Sequence, residues 1–349
     1  MVTEIVKIAP TDPDFSNKIE SAAEIIKHGG LVVFPTETVY GLGADATNPS
    51  AAQKIYAAKG RPSDNPLIIH VARPEDAEKY AVTGETYYAL AKLFMPGPLT
   101  VVLTAKDTVP PQTRASLPTV AVRCPENSIA RALISASGTP IAAPSANLSG
   151  TPSPTSAAHV IDDMTGRVDM IIDGGDSDFG LESTIVKIED NGDLTLLRPG
   201  KITVDDLISA SFNVEVADAV TDKLREGEVA LSPGMKYRHY APKAPLELLD
   251  GGIMDAIEYI KRENLTRAAI IAYDEDIENL KRELPGVCVY AFGKQGDEIF
   301  QAHTLFSILR TVDKEEYEKI YAPLPKKSGV GLALYNRMIR AAAHKIVKL

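Results

Sequence analysis

Short apolar runs alternate with amphipathic stretches along almost the whole of this chain, and that rhythm admits few architectures other than α/β. The apolar runs at residues 31–34, 67–71, 99–104, 119–123, 140–143, 170–173, 184–188 and 194–197 read as strands. Between them, 17–27, 50–58, 85–93 and 128–135 carry apolar residues at the spacing that gathers them on one helix face. Helices of that kind bury their apolar faces on a sheet, so residues 1–210 are expected to form a twisted open sheet covered by helices. The rhythm fails over 211–243, as in a linker or a functional loop. It then resumes with strands at 246–249, 268–273 and 287–291 and helices at 253–262, 297–309 and from about 330. That second alternation predicts a small parallel sheet with helices on both faces over 244–349.

Composition narrows the choice of partners. At 349 residues the chain exceeds what one hydrophobic core usually serves, in keeping with two domains. Its formal net charge of −10 disfavours tight binding of tRNA through phosphate neutralisation, yet leaves Lys and Arg for a small anionic ligand. No apolar run is long enough to cross a bilayer and no signal-like segment opens the chain, so the expectation is a cytoplasmic protein without a membrane partner. Cys124 and Cys288 stand far apart in apolar, strand-like settings and read as two buried thiols. There is no G-x-x-x-x-G-K-[ST] loop, no G-x-G-x-x-G opening a helix, no H-E-x-x-H and no G-x-S-x-G, which excludes P-loop ATPases and zinc hydrolases.

The segments that carry chemistry all fall at strand ends or in loops, where a rigid scaffold exposes polar groups to a ligand. Residues 35–43 follow a strand and place hydroxyls and two glycines where backbone and side chains approach a polar substrate together. Residues 59–66 put Lys59 and Arg61 at a helix end before a proline-stiffened loop, an arrangement that cradles phosphates. The same two cations also suit a capped helix terminus. Residues 143–155 are rich in small hydroxyls and turn formers after another strand, and residues 180–184 and 197–200 again place polar groups at strand ends. The second half offers less: His303 and His344 fall in amphipathic helices and read as solvated, and Gly329 and Gly331 lack a phosphate-binding fingerprint before them. From the residues alone the result is an α/β anion-binding cleft in the first domain, with the second in a supporting role.

Taken in order, residues 35–43, 59–66, 144–150, 181–184 and 232–242 resemble the YrdC-like threonylcarbamoyl-AMP synthases, in the long form with an extra carboxyl-terminal domain. The K-x-R pair of Lys59 and Arg61 and the S-x-N pair of Ser145 and Asn147 match that family's signature, and the Tyr-Arg-His-Tyr-Ala-Pro run matches the long form's linker. The resemblance implies a YrdC-like fold followed by a linker and a small Rossmann-like α/β/α domain. It implies a reaction in which L-threonine, bicarbonate and ATP, with Mg²⁺ as ATP's companion, give threonylcarbamoyl-AMP and pyrophosphate. The product would supply a downstream tRNA threonylcarbamoyl-transferase machinery.

By the same resemblance Lys59, Arg61, Ser63, Ser145, Asn147, Ser153 and Arg198, with Thr119 as a weaker candidate, would hold ATP or its adenylate, Lys59 and Arg61 being the catalytic pair. Thr36, His70, Arg123 and Ser183, with Ala143 a weaker candidate, would surround threonine, Arg123 as a fork for its carboxylate. Ser232, Tyr237 and His239 would fold over the cleft as a lid, with Ser232 and Tyr237 joining the ATP site. Two other classes fit parts of the sequence: an RNA-binding module without turnover, disfavoured by the acidic balance, and a carbamoyl transferase, disfavoured by the lack of cysteine-rich zinc segments.

Overall fold

The structure is a computed structural model and describes residues 2–222 and 240–349. The first half contains β1 (Glu4–Lys7), α1 (Phe15–Lys27), β2 (Val32–Phe34), β3 (Gly41–Asp45), α2 (Pro49–Lys59), β4 (Ile68–His70), α3 (Glu85–Phe94) and β5 (Leu99–Thr104). It continues through β6 (Thr119–Arg123), α4 (Ser128–Ser137), β7 (Ile141–Ala142), α5 (Ala157–Met164), β8 (Met170–Asp173), β9 (Thr184–Ile188), β10 (Leu194–Arg198), α6 (Val204–Ser209) and β11 (Val214–Val216). These strands form one mixed eleven-stranded sheet in the order β1-β8-β2-β3-β7-β4-β6-β5-β9-β10-β11. Its middle is buried on both faces: Val33, Leu42, Ile69, Val101 and Val122 belong to one core, and Val32, Phe34 and Ile141 to a second against α1 and α4. Near-continuous apolar runs are what such doubly covered strands require.

Strand β3 is the element that periodicity passes over. It pairs antiparallel with both β2 and β7 and so links the two parts of the sheet, although its sequence is Gly-Leu-Gly-Ala-Asp. Gly43 is needed there for contact and not for conformation, since a Cβ would lie 2.7 Å from Phe34 Cε1 and Ile141 Cγ2. The close approach brings the loop after β2 against the loop after β7.

The second half contains β12 (Leu246–Asp250), α7 (Ile253–Glu263), β13 (Ala268–Ala272), α8 (Ile277–Glu283), β14 (Val287–Ala291), α9 (Glu298–Val312), β15 (Lys319–Pro323), α10 (Gly331–Ala341) and β16 (Ile346–Lys348). The sheet is parallel throughout, in the order β14-β13-β15-β12-β16. Leu246, Leu248, Ile271 and Ala322 face α9 and α10, whereas Leu249, Ile270 and Tyr321 face α7 and α8. Helices therefore cover both faces, the arrangement right-handed crossovers produce. Two readings of the sequence need correction. Cys288 is exposed, because β14 is an edge strand and this residue points outward, whereas Cys124 is buried. His344 lies beyond the end of α10 and not within a helix, with a positive φ of 66°.

The last two helices dock on the first half. Arg310 of α9 makes a bidentate pair with Asp163 of α5, at 3.2 and 2.7 Å, and donates to the Pro152 carbonyl at 2.6 Å. Gly180 lies flat against α9, where a Cβ would come within 2.6 Å of the His303 carbonyl oxygen. From α10, Asn336 donates to the Val220 carbonyl at 2.6 Å and Arg340 to that of Ala219 at 2.7 Å.

Candidate functional site

The local sequence around α2 explains how two cations reach one cleft. Asn48 caps the helix, accepting from the Ser50 and Ala51 amides at 3.0 and 3.2 Å, and Pro49 occupies the first turn, where no amide partner is lost. Gly60 then ends it in a left-handed conformation, φ 62°. Lys59 is thereby the last helical residue, and Arg61 begins the loop that follows.

Lys59 is buried, and its Nζ donates to the Asn147 carbonyl at 2.6 Å, to Asn147 Oδ1 at 3.3 Å and to the Ser145 carbonyl. All of these acceptors are neutral. Burial, and secondarily the charge of Arg61, hold the ammonium pKa well below its usual value. Ser145 donates to Asn147 Oδ1 at 2.5 Å, while the Asn147 amide donates to the Leu148 and Thr151 carbonyls, so the loop after β7 is folded around the lysine. Arg61 donates to the Asn65 and Pro66 carbonyls at 3.2 and 3.1 Å.

The opposite wall begins at the end of β6. Arg123 is buried and donates to Glu37 Oε1 at 2.5 Å, and Glu37 Oε2 accepts from the Glu126 and Asn127 amides at 3.1 and 3.4 Å. One edge of the guanidinium is thus clamped, while its buried Nε has no partner. Beside it, His70 at the end of β4 sits edge-on to Phe34 and leaves Nδ1 buried without a partner. Burial, helped by Arg123, lowers this imidazole to about 3, so it is neutral at ordinary pH. Thr36 uses its hydroxyl within its own turn, donating to the Val39 carbonyl at 2.6 Å.

The floor comes from the segments that flank β9 and end β10. Arg198 donates from Nε to the Ser183 carbonyl and from its terminal nitrogen to Ser183 Oγ, both at 3.0 Å, and Ser183 in turn meets Thr100 Oγ1 at 2.7 Å. Burial pulls Arg198 down to about 10, against the charge of Glu182. Glu182 accepts from Ser153 Oγ at 2.5 Å and from Arg337 Nε of α10 at 2.7 Å. Burial alone would raise its carboxyl, but Arg337 and then Arg198 overcome that and hold it at about 2.

These walls line one cleft. Of the residues singled out from the sequence, Thr36, Lys59, Arg61, His70, Arg123, Ala143, Ser145, Asn147 and Arg198 line it directly. Ser153 and Ser183 lie one bond behind, on Glu182 and Arg198. The structure does not bring Ser63 or Thr119 to this lining: Ser63 is exposed in its loop, and Thr119 begins β6, four residues or ~13 Å of strand from Arg123. Ser232, Tyr237 and His239 lie outside the described residues.

Sequence reading missed Glu37, Glu182, Tyr240 and Arg337 as members of the site. Tyr240 lines the cleft with a positive φ of 61°, stacked on Phe306 of α9 at 5.0 Å. Glu37 is the one charged residue between β2 and β3, Glu182 is the last of three acids between β8 and β9, and Arg337 falls seven residues after Val330 on the apolar stripe of its helix. Those were the available signals. Among the described residues no cluster of His, Cys, Asp and Glu is arranged to hold a metal ion, and both buried carboxylates of the cleft are engaged by arginines.

Fold and cleft together define a two-domain α/β protein whose cleft is lined by the buried basic side chains of Lys59, Arg123 and Arg198. Residues 24–200 match the Sua5/YciO/YrdC family model, described as "Telomere recombination", and residues 202–343 match that of the threonylcarbamoyl-AMP synthase C-terminal domain. The threonylcarbamoyl-AMP synthase of Pyrococcus abyssi is 42% identical over 342 residues, covering 95% of this chain and 96% of that one. That of Bacillus subtilis is 40% identical over 349 residues, covering 98% and 96%. The crystal structure of P. abyssi Sua5 complexed with L-threonine superposes with a TM-score of 0.88 at 40% identity, over 99% of this chain and all of that one. The chain belongs to the threonylcarbamoyl-AMP synthase family, in its two-domain form.

Proposed function

We propose that this protein condenses L-threonine, bicarbonate and ATP into threonylcarbamoyl-AMP with release of pyrophosphate. The observation that carries the reading is the pairing of two unlike anion sites in one cleft. Lys59 and Arg198 are buried cations bonded only to neutral acceptors among the described residues, which suits a phosphate chain. Arg123 and the neutral His70, each with an unpartnered buried nitrogen, suit an amino acid alongside it.

In this reading the threonine carboxylate lies against Arg123, whose orientation Glu37 fixes, and the amine lies toward the phosphates. The amine nitrogen bonds to the bicarbonate carbon as a C–O bond breaks and the hydroxyl leaves as water with an amine proton; a carbamate oxygen then attacks the α-phosphorus, and the new P–O bond forms as the bond to the bridging β-phosphate oxygen breaks and pyrophosphate departs. Negative charge grows on the phosphoryl oxygens and the departing pyrophosphate, where Lys59, Arg61 and Arg198 are already in place. Holding the reactants together supplies much of the remaining acceleration. Mg²⁺ enters as ATP's companion; with both buried carboxylates engaged, the cleft's own contribution to charge is cationic. The product would pass to a separate enzyme that transfers the threonylcarbamoyl group to tRNA, with both steps in the cytoplasm.

The test follows pyrophosphate while purified protein is incubated with Mg²⁺, ATP, bicarbonate and each amino acid in turn. Release that requires threonine and bicarbonate together is expected; release indifferent to either overturns the reading. Salt-sensitive tRNA binding without any turnover would favour an RNA-binding module instead.

A further inference from the structure

The second domain reaches the floor of the cleft through one side chain. Arg337 is fully buried and on α10, 155 residues from the carboxylate it contacts. Its Nε meets Glu182 Oε2 at 2.7 Å, another nitrogen reaches the Glu182 carbonyl at 3.4 Å, and a third donates to Asn336 Oδ1 at 2.8 Å. Asn336 is itself tied to the Val220 carbonyl, and the guanidinium carbon lies 5.9 Å from the centre of the Tyr240 ring.

We propose that Arg337 is a positioning residue of the ATP site: by engaging Glu182 it keeps Arg198 uncommitted, available to an anionic substrate. Two buried, opposite charges share this cleft without pairing with each other. Glu182 and Arg198 both line it, yet Arg198 donates to the carbonyl and hydroxyl of Ser183, and no carboxylate pairs with it among the described residues. Glu182 is nevertheless the strongest favourable charge acting on Arg198. Without Arg337 the nearest remedy for a buried, uncompensated Glu182 is Arg198 itself. The cleft would then lose a phosphate-binding cation and present an anion in its place. Lys59, whose partners are all neutral, would face the same unopposed carboxylate. This role rests on the reading of the cleft as an ATP and threonine site, and it makes the docked second domain a condition for binding ATP well.

Steady-state kinetics of full-length Arg337→Gln, Glu182→Gln and the double variant test it. Arg337→Gln is expected to raise KM for ATP by roughly tenfold or more while KM for threonine moves by less than about threefold. The double variant, which removes the carboxylate as well, is expected to bring KM for ATP back to within about threefold of the unaltered protein. A double variant no better than Arg337→Gln overturns the proposal, as does a threonine KM that shifts as much as that for ATP. If Arg337→Gln fails to fold, the double variant, which contains neither buried charge, is compared with Glu182→Gln alone; a tenfold gap in KM for ATP between those two also overturns it. Calorimetric titration of each variant with Mg²⁺ and ATP separates this inference from the reaction. Unaltered protein without threonine-dependent turnover sinks the proposed reaction, whereas equal ATP affinity in Arg337→Gln and unaltered protein sinks the role of Arg337.

Discussion

At the scale of single residues, the cleft concentrates groups whose protonation is set by burial. Burial holds the Lys59 ammonium below its usual range and its bonds go only to neutral acceptors, so an anionic ligand would be its first charge partner. Lys59→Met should lower kcat/KM by about 10² or more in steady-state kinetics, with the circular dichroism of the folded protein unchanged. Near-normal turnover in the variant would assign the phosphate contact elsewhere. His70 carries a stability signature. Its folded value of about 3 lies below the unfolded 6.5, so the unfolded chain gains a proton first as pH falls. The folded state loses about 1.4 kcal/mol per pH unit from this group between pH 6.5 and about 3. Urea unfolding of His70→Phe across that window should give a correspondingly flatter profile, and an unchanged slope would show that His70 does not set it.

At the scale of elements, what the sequence discloses depends on who covers each strand. Strands β5, β6, β8 and β9 are legible to the residue because both faces are buried and the apolar run coincides with the strand. Strand β3 is not, since glycine replaces the usual strand formers where two loops must meet; β15, with Lys319 and Pro323 at its ends, and the short helices α5 and α8 are hidden for similar reasons. The site divides the same way. Cations and hydroxyls that belong to local motifs can be picked out by pattern, whereas Glu37 and Glu182 are explained only by arginines 86 and 155 residues away. Helix α2 offers a test at this scale. Gly60→Ala places a side chain at φ 62°, at a cost of about 1 kcal/mol in urea unfolding, and no atom within 4 Å opposes the methyl. Because Lys59 and Arg61 flank that turn, kcat/KM should fall further than stability does, by roughly tenfold. A purely thermodynamic loss would show that the turn does not aim the two cations.

At the scale of the whole molecule, the two sheets are coupled by polar contacts and by an apolar seam in which Val39, Phe179 and Leu181 join the core of the second half. Arg310 and Asp163 are mostly buried and bidentate, and Arg310 also holds the Pro152 carbonyl, one residue before Ser153, which hydrogen-bonds Glu182 in the cleft floor. Arg310→Met leaves Asp163 without its charge partner and should weaken docking by about 3 kcal/mol. Scanning calorimetry is then expected to resolve two transitions, one per sheet; a single transition at the original temperature would locate the coupling elsewhere.

The Glu182–Arg337 pair also has an ancestry. A buried carboxylate that depends on a cation from another domain cannot be inherited alone, so the two positions should change together among descendants of this gene. A lineage that discards the second domain must also replace the acid at 182 or find it a new counter-charge. Lineages that keep the domain should hold both residues or lose both.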